Sequence, residues 1–147
     1  MIRELKIEEY NRCSEYRLME NTVHEKNMFE NFKNGNRLIY VYEKAGRLLG
    51  EGALVYETGD PDYTIPNQRI YISRMIVDEK HQNQGIGGEI VDFLVAKAHE
   101  MGYNEVSIGV DKCNVNAFHL YRKKGFTTII FDGVDEAGEY YKLMRTL

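Results

Sequence analysis

HQNQGIGGEIVDFL (His81–Leu94) sets three glycines, Gly85, Gly87 and Gly88, within four positions, directly ahead of an amphipathic run. Glycine is a poor choice at a helix start, because it loses more backbone entropy on folding than any other residue. Bare backbone is therefore wanted there, against a ligand, against another strand, or simply for a tight turn. The run that follows has Ile90, Val91, Leu94, Val95, Ala98 and Met101 on one face at helical spacing, and Gly102 is placed to end it. RIYISRMIVD (69–78), rich in β-branched and aliphatic residues, reads as a strand leading into the glycines. Strand, glycine turn and helix in this order decide the fold class.

Such a junction is a physical anion site. Free N–H groups point out of the first helical turn, the helix dipole adds partial positive charge, and absent side chains let phosphate oxygens approach. Two well-known forms fit badly. A P-loop needs Lys-Ser or Lys-Thr after the glycines, and the dinucleotide fingerprint needs a third glycine where Ile90 stands. On the glycines alone, a ligand-free turn and an anion site both remain open.

Outward from this junction the chain reads as one α/β domain over residues 1–147. IRELKI is a first strand, and residues 8–20 and 25–33 are two short helices. RLIYVYEK (37–44) and RLLGEGALVYET (47–58) form a hairpin around Ala45-Gly46. TGDPDYTIPNQ carries both prolines and is a long turn. EVSIGV (105–110) is a strand, and 114–124 is a helix stopped by Gly125. FTTIIF and EYYKLM close the chain as a hairpin around DGVDEAG. The order predicts a mixed sheet covered by helices on both faces. A net charge of −4 and a pI near 5.6 argue against nucleic acid or an anionic membrane as partner. The charged start MIRELKIEEY predicts no signal peptide. Cys13 and Cys113 stand far apart, which fits a reducing cytoplasm, and the four histidines form no metal-ligand motif.

QNQGIG (82–87) resembles the [QR]-x-x-G-x-[GA] signature of the GNAT superfamily, the acetyl-CoA-dependent N-acetyltransferases. NVNAFHLYRKKGF (114–126), starting 27 residues after Gly87, is similar to that family's second motif, N-x-x-A-x-x-L-Y-x-x-x-G-F, and MIVD (75–78) stands where the family has its cofactor strand. The motif layout resembles that of the ribosomal-protein-acetylating branch. The resemblance implies a GNAT fold in which parallel strands four and five splay apart. The pantetheine arm of acetyl-CoA would lie in the gap along Met75, Ile76 and Val77. Its pyrophosphate would sit on the amides of Asn83, Gln84, Gly85, Ile86, Gly87 and Gly88, with Gln82 beside it. Asn114 would hold the cofactor arm. Tyr121 would point its hydroxyl at the thioester sulfur, a suitable donor because a phenol with pKa near 10 stays protonated at neutral pH. The amine acceptor would attack directly in a ternary complex, with strand-four N–H groups polarising the carbonyl and with no metal.

Two departures from the family pattern matter. Its loops commonly carry Arg or Lys between the glycines, whereas HQNQ is neutral. Lys80, Lys123 or Lys124 would then meet the adenosine 3'-phosphate, although Arg122, Lys123 and Lys124 also suit the last turn of a helix. The branch resembled here carries a Glu in strand five, and this chain has Gly109. Glu51, Glu57 and Asp111 are the alternative bases, each also readable as a surface carboxylate. Arg74 is either a substrate contact or the partner of a neighbouring strand's carboxylate, and His119 reads as packing or surface. The acids of 132–139 form a negative rim that favours a cationic small-molecule or peptide amine, or serves solubility alone. A monomer or homodimer is expected. A non-catalytic acyl-CoA-binding module is the competing reading, with Gly109 in its favour and Asn114 and Tyr121 against it.

Overall fold

Strand-forming and helix-forming stretches follow one another along the chain in the order read from their periodicity. The computed structural model spans Met1–Leu147 and runs β1 (Ile2–Glu4), a 3-10 helix (Ile7–Glu15), α1 (Val23–Lys33), β2 (Arg37–Lys44), β3 (Arg47–Val55), β4 (Arg69–Val77), a single 3-10 turn (Glu79–His81), α2 (Ile86–Glu100), β5 (Glu105–Asp111), α3 (Val115–Lys123), β6 (Thr128–Asp135) and β7 (Gly138–Thr146). The strands form one sheet ordered β1-β2-β3-β4-β5-β7-β6, antiparallel throughout except for the parallel pair β4–β5. No helix is long and apolar enough to cross a membrane.

Each face of the sheet buries its own core. Ile90, Val91, Leu94 and Ala98 of α2 are fully enclosed against Leu54, Ile70, Ile72, Val106 and Ile108, and Tyr121 and Phe126 extend this layer beneath α3. Each of the buried Val, Leu, Ile and Phe side chains contributes roughly 1.5–3 kcal/mol by leaving water. On the other face Tyr10, Cys13 and Tyr16 pack on Ile39, Val41, Leu48 and Ala53. That spacing explains a difference from expectation. The segment predicted as an α-helix over 8–20 is a 3-10 helix ending at Glu15, where residues three apart eclipse one another and line up Tyr10 and Cys13 with Tyr16 just beyond. In α1, Thr22 caps the start, its side chain accepting from the Glu25 N–H at 3.1 Å.

β4 and β5 pair from Arg69↔Glu105 to Ile72↔Ile108 and no further. At this point Arg74 adopts φ +55°, and the β3–β4 register jumps between Ala53↔Ser73 and Glu51↔Ile76. The extra residue is a β-bulge that bends β4 away from its neighbour. A left-handed conformation at a non-glycine residue is costly and persists where the surroundings fix it. The gap it opens holds the candidate site.

The last hairpin is longer than its composition suggested. DGVDEAG is mostly strand, with β6 running on to Asp135 and only Glu136 and Ala137 forming the turn. β6 lies at the sheet edge, where exposed charged residues are normal strand content and discourage pairing with other chains. β1 is likewise shorter than IRELKI, since Leu5 already leaves the strand while staying buried.

Candidate active site

A cleft of about 580 Å³ runs from the start of α2, past the separated end of β4, to α3. Its wall contains Met75, Val77, Gln82, Asn83, Gly85, Ile86, Gly87, Gly88, Asn114 and Tyr121, ten of the twelve residues expected to contact the cofactor. The other two face elsewhere. Ile76 packs on the opposite face of the sheet, because alternate strand residues point opposite ways, and Gln84 borders a separate hollow against Tyr42 and Leu49.

Gly85 begins α2 in the left-handed region, φ +84°, with no side-chain cap on the helix. The N–H groups of the first turn are thus left without intrahelical partners. Gly85 is explained by its backbone. Gly87 is not: a Cβ there would meet only Leu120 at 3.7 Å and Val77 at 3.8 Å, ordinary contact distances. Nothing within the fold requires Gly87 to be bare, and it faces the cleft. The Gln82 side-chain amide donates to the Val77 carbonyl at 3.2 Å, tying the loop to the strand.

The basic residues divide. Lys123 and Lys124 line the cleft, with Lys124 held by Asp92 at 2.7 Å. Lys80 is exposed outside its wall. Arg122 donates to the Thr127 carbonyl and lies over the Phe118 ring, a structural position. Asn114 caps α3, its Oδ1 accepting from the Ala117 N–H at 3.2 Å, so its amide nitrogen is the part left for a ligand. His119 is exposed beside Phe118.

Tyr121 borders both this cleft and a second hollow of about 350 Å³ on the far side of β4. Its ring packs edge-on against Phe126. Burial pushes its hydroxyl up to about 12, with Tyr71 adding to the effect. It therefore stays an O–H donor across the neutral range. The second hollow is bounded by Tyr63, Tyr71, Arg74, Met75, Gly109, Asp111, Asp135 and Tyr140.

Tyr63 is the residue the sequence left unmarked. A Cβ built on Gly109 would lie 2.5 Å from the Tyr63 hydroxyl, so this glycine makes room for that ring. Tyr63 comes from the proline-bearing loop, which is fastened to the sheet. The Ser107 hydroxyl donates to the Tyr63 carbonyl at 2.6 Å, Tyr63 stacks on Tyr71 at 4.2 Å, and Lys142 lies 5.0 Å from its ring centre while pairing with Asp60 and Asp62. Burial raises the Tyr63 hydroxyl well above its ordinary range, so it is no base. An isolated glycine in an apolar strand is the signal that marks such a close approach.

The three carboxylates weighed as bases differ in place. Glu51 is almost wholly buried and accepts from the Tyr16 hydroxyl at 2.8 Å and from Arg17 at 3.0 Å. Glu57 is exposed on a neighbouring hollow. Asp111 alone lines the hollow beside Tyr121. Arg74 reaches Glu25 of α1 at 3.6 Å, so its partner comes from a helix rather than a strand.

A model of the acetyltransferase (GNAT) family matches residues 2–126. The chain belongs to that family. Human N-acetyltransferase 8 is 31% identical over 88 residues, which cover 59% of this chain and 37% of that protein. The match thus spans little more than a third of the curated relative. Among solved structures, a GNAT acetyltransferase from Elizabethkingia anophelis with acetyl-CoA bound superposes with TM-score 0.74 at 20% identity, covering 100% of this chain and 97% of that one. The Escherichia coli ribosomal-protein-S18-alanine N-acetyltransferase superposes with TM-score 0.78 at 15% identity, covering 99% and 92%. At such identities the likeness is one of fold, including the seven-strand mixed sheet with its parallel β4–β5 pair.

Proposed function

We propose that residues 1–147 act as an N-acetyltransferase domain that moves an acetyl group from acetyl-CoA to a primary amine by direct attack in a ternary complex. The observation that carries this reading is the continuity of one path. It starts at the uncapped N-terminus of α2, follows the separated end of β4, and reaches Tyr121, which also borders the second hollow. The bare Gly87 fits a pyrophosphate that must come close to backbone, and the neutral HQNQ leaves recognition to N–H groups and helix dipole.

Acetyl-CoA supplies the activated thioester. The chain's own groups do the rest. N–H groups that β4 turns toward the gap polarise the carbonyl. The amine, delivered through the second hollow, forms the C–N bond as the C–S bond breaks. The ammonium sheds one proton to water at the rim near Asp111 before attack, and a second leaves the same way as the amide forms. Tyr121 donates a hydrogen bond to the departing sulfur. With its pKa at about 12 and a leaving thiol near roughly 8.5 by analogy with cysteine, complete proton transfer from the phenol is uphill, so hydrogen-bond donation is its main contribution.

Thiol release from acetyl-CoA, measured with and without a panel of primary amines, tests the reading. Amine-dependent release with an N-acetylated product supports it. Tight acetyl-CoA binding without release for any amine would favour a non-catalytic acyl-CoA module.

A further inference from the structure

Beneath α1, on the face of the sheet that carries the second hollow, lies a set of charges that does not balance. Arg17 pairs with Glu25 at 2.6 Å and with Glu51 at 3.0 Å, and Arg74 reaches Glu25 at 3.6 Å. Tyr10 donates to Glu25 and Tyr16 to Glu51, both as neutral phenols kept protonated by burial. Arg37 belongs to the same cluster, with Glu51 and Arg74 the charges that act on it most. Three guanidinium groups thus face two carboxylates.

Arg37 is the one left over. It is only 5% exposed, its Nη1 donates to the Ser73 hydroxyl at 3.1 Å, and its Nη2 is buried without any partner. Buried charges in proteins are paired, and an unpaired one is costly. Arg37 is also on the wall of a hollow of about 300 Å³ formed with Asn31, Tyr71, Ser73 and the exposed Glu57. Tyr71 belongs to this hollow and to the one beside Tyr121, and Arg74 follows Ser73 directly. The two hollows therefore lie side by side along β4, one with Arg37 on its wall and the other with Asp111 and Asp135.

We infer that Arg37, with Ser73 and Arg74 beside it, forms a carboxylate-binding subsite, and that the acceptor is a zwitterionic amino acid whose carboxylate supplies the missing counter-charge while its amine points toward Tyr121. The inference rests on the amine-acetylation reading of the groove. It also narrows the cationic acceptor expected from the acidic rim: the amine end meets the acids, and the other end of the molecule is anionic. Arg37 and Tyr121 border separate hollows, so a carboxylate set several bonds from the amine fits better than an α-amino acid does.

The test uses matched pairs. ω-Amino acids from glycine to aminohexanoate, and the alkylamines lacking the carboxylate, are titrated calorimetrically into the full chain with and without CoA. The expected result is that the acids bind at least about tenfold more tightly than their amines, with an optimum among the longer members. The advantage should vanish in Arg37→Gln, and Arg37→Lys should keep part of it, because lysine retains the charge but not the planar fork. Equal binding of acid and amine by the parent chain overturns the proposal, as does an advantage that survives in a folded Arg37→Gln. Should Arg37→Gln not fold, Arg37→Met, which fills the space without a buried charge, replaces it, and the parent comparison already decides. Thiol release is read separately. Acids that bind through Arg37 but release no thiol would sink the acetylation reading and leave the subsite standing.

Discussion

The two sides of β4 present hollows built by different means. On the α2 side the cleft is made of backbone: an uncapped helix start, glycines, and a strand end without a neighbour. On the α1 side the groove is made of side chains drawn from distant segments, with Arg17, Glu25, Arg37, Glu51, Tyr63 and Arg74 buried or half-buried together. A ligand shared by a whole family can be met with backbone that any sequence provides, whereas a particular acceptor needs particular side chains. The difference predicts that the α1 side carries stability and selectivity together, and that the α2 side carries cofactor affinity with little stake in folding.

Arg17 gives the sharpest test of the first half. Arg17→Met removes the cation that both Glu25 and Glu51 face, leaving two buried carboxylates with weakened compensation. Breaking a buried pair from one side costs about 3–5 kcal/mol. In a chain of this size that lowers the melting temperature by about 6–20 °C. Thermal unfolding measures it, and acetyl-CoA affinity of the folded variant should change by less than about threefold. A melting point within about 2 °C of the parent would mean the network is dispensable.

Gly87→Glu tests the other half. Its Cβ has room, and an acid in the first turn suits the helix dipole, so the fold should hold. A carboxylate facing a pyrophosphate costs several kcal/mol, which predicts acetyl-CoA binding weakened by roughly thirty- to a thousandfold in calorimetry. Unchanged affinity with an unchanged melting point would reduce the loop to a turn.

These two tests also mark what sequence alone could disclose. Backbone recognition leaves a local trace, because glycines at 85, 87 and 88 between a strand and a helix are visible within one short stretch. The mixed α/β class followed from the order of the elements, and the parallel β4–β5 pair from the resemblance that this junction and the second motif carry together. Side-chain assembly leaves no such trace. Tyr63 looks like one residue of a polar loop until Gly109, in a different strand, is found to make room for it. Arg37 looks like an ordinary strand opener until its neighbours fail to neutralise it. Glu51, between two glycines in an otherwise apolar strand, did carry a warning: a charge in that setting is buried and paired, which argues against free base chemistry.

Tyr121 stands where the two sides meet. Tyr121→Phe keeps the packing against Phe126 and removes the hydroxyl, so kcat should fall by roughly ten- to a hundredfold, the lower part of what general acids contribute, with acetyl-CoA affinity nearly unchanged. The loss should shrink with thioesters whose leaving thiol is more acidic. Because burial holds the phenol at about 12, it stays protonated below that pH, and the parent kcat should show no falling limb from this group below about pH 10. A limb near the ordinary tyrosine value that disappears in the Phe variant would contradict the burial argument.

The smallest effect lies at the rim and separates two acids that look alike in the sequence. Asp135 lines the hollow beside Tyr121, whereas Glu136 sits in the exposed β6–β7 turn outside it. Asp132 is committed to Lys112. A solvated carboxylate attracts a nearby ammonium by only about 0.2–1 kcal/mol. Asp135→Asn should therefore raise the acceptor KM by roughly two- to fivefold and flatten its dependence on salt, since screening already removes most of that attraction at high ionic strength. Glu136→Gln should leave both unchanged, and neither variant should move the acetyl-CoA KM. Equal effects of the two substitutions would mean that the rim acts through total charge rather than through the wall of the groove, and the contrast between a side-chain-built and a backbone-built half would then stop at Tyr140 and not include the hairpin tip.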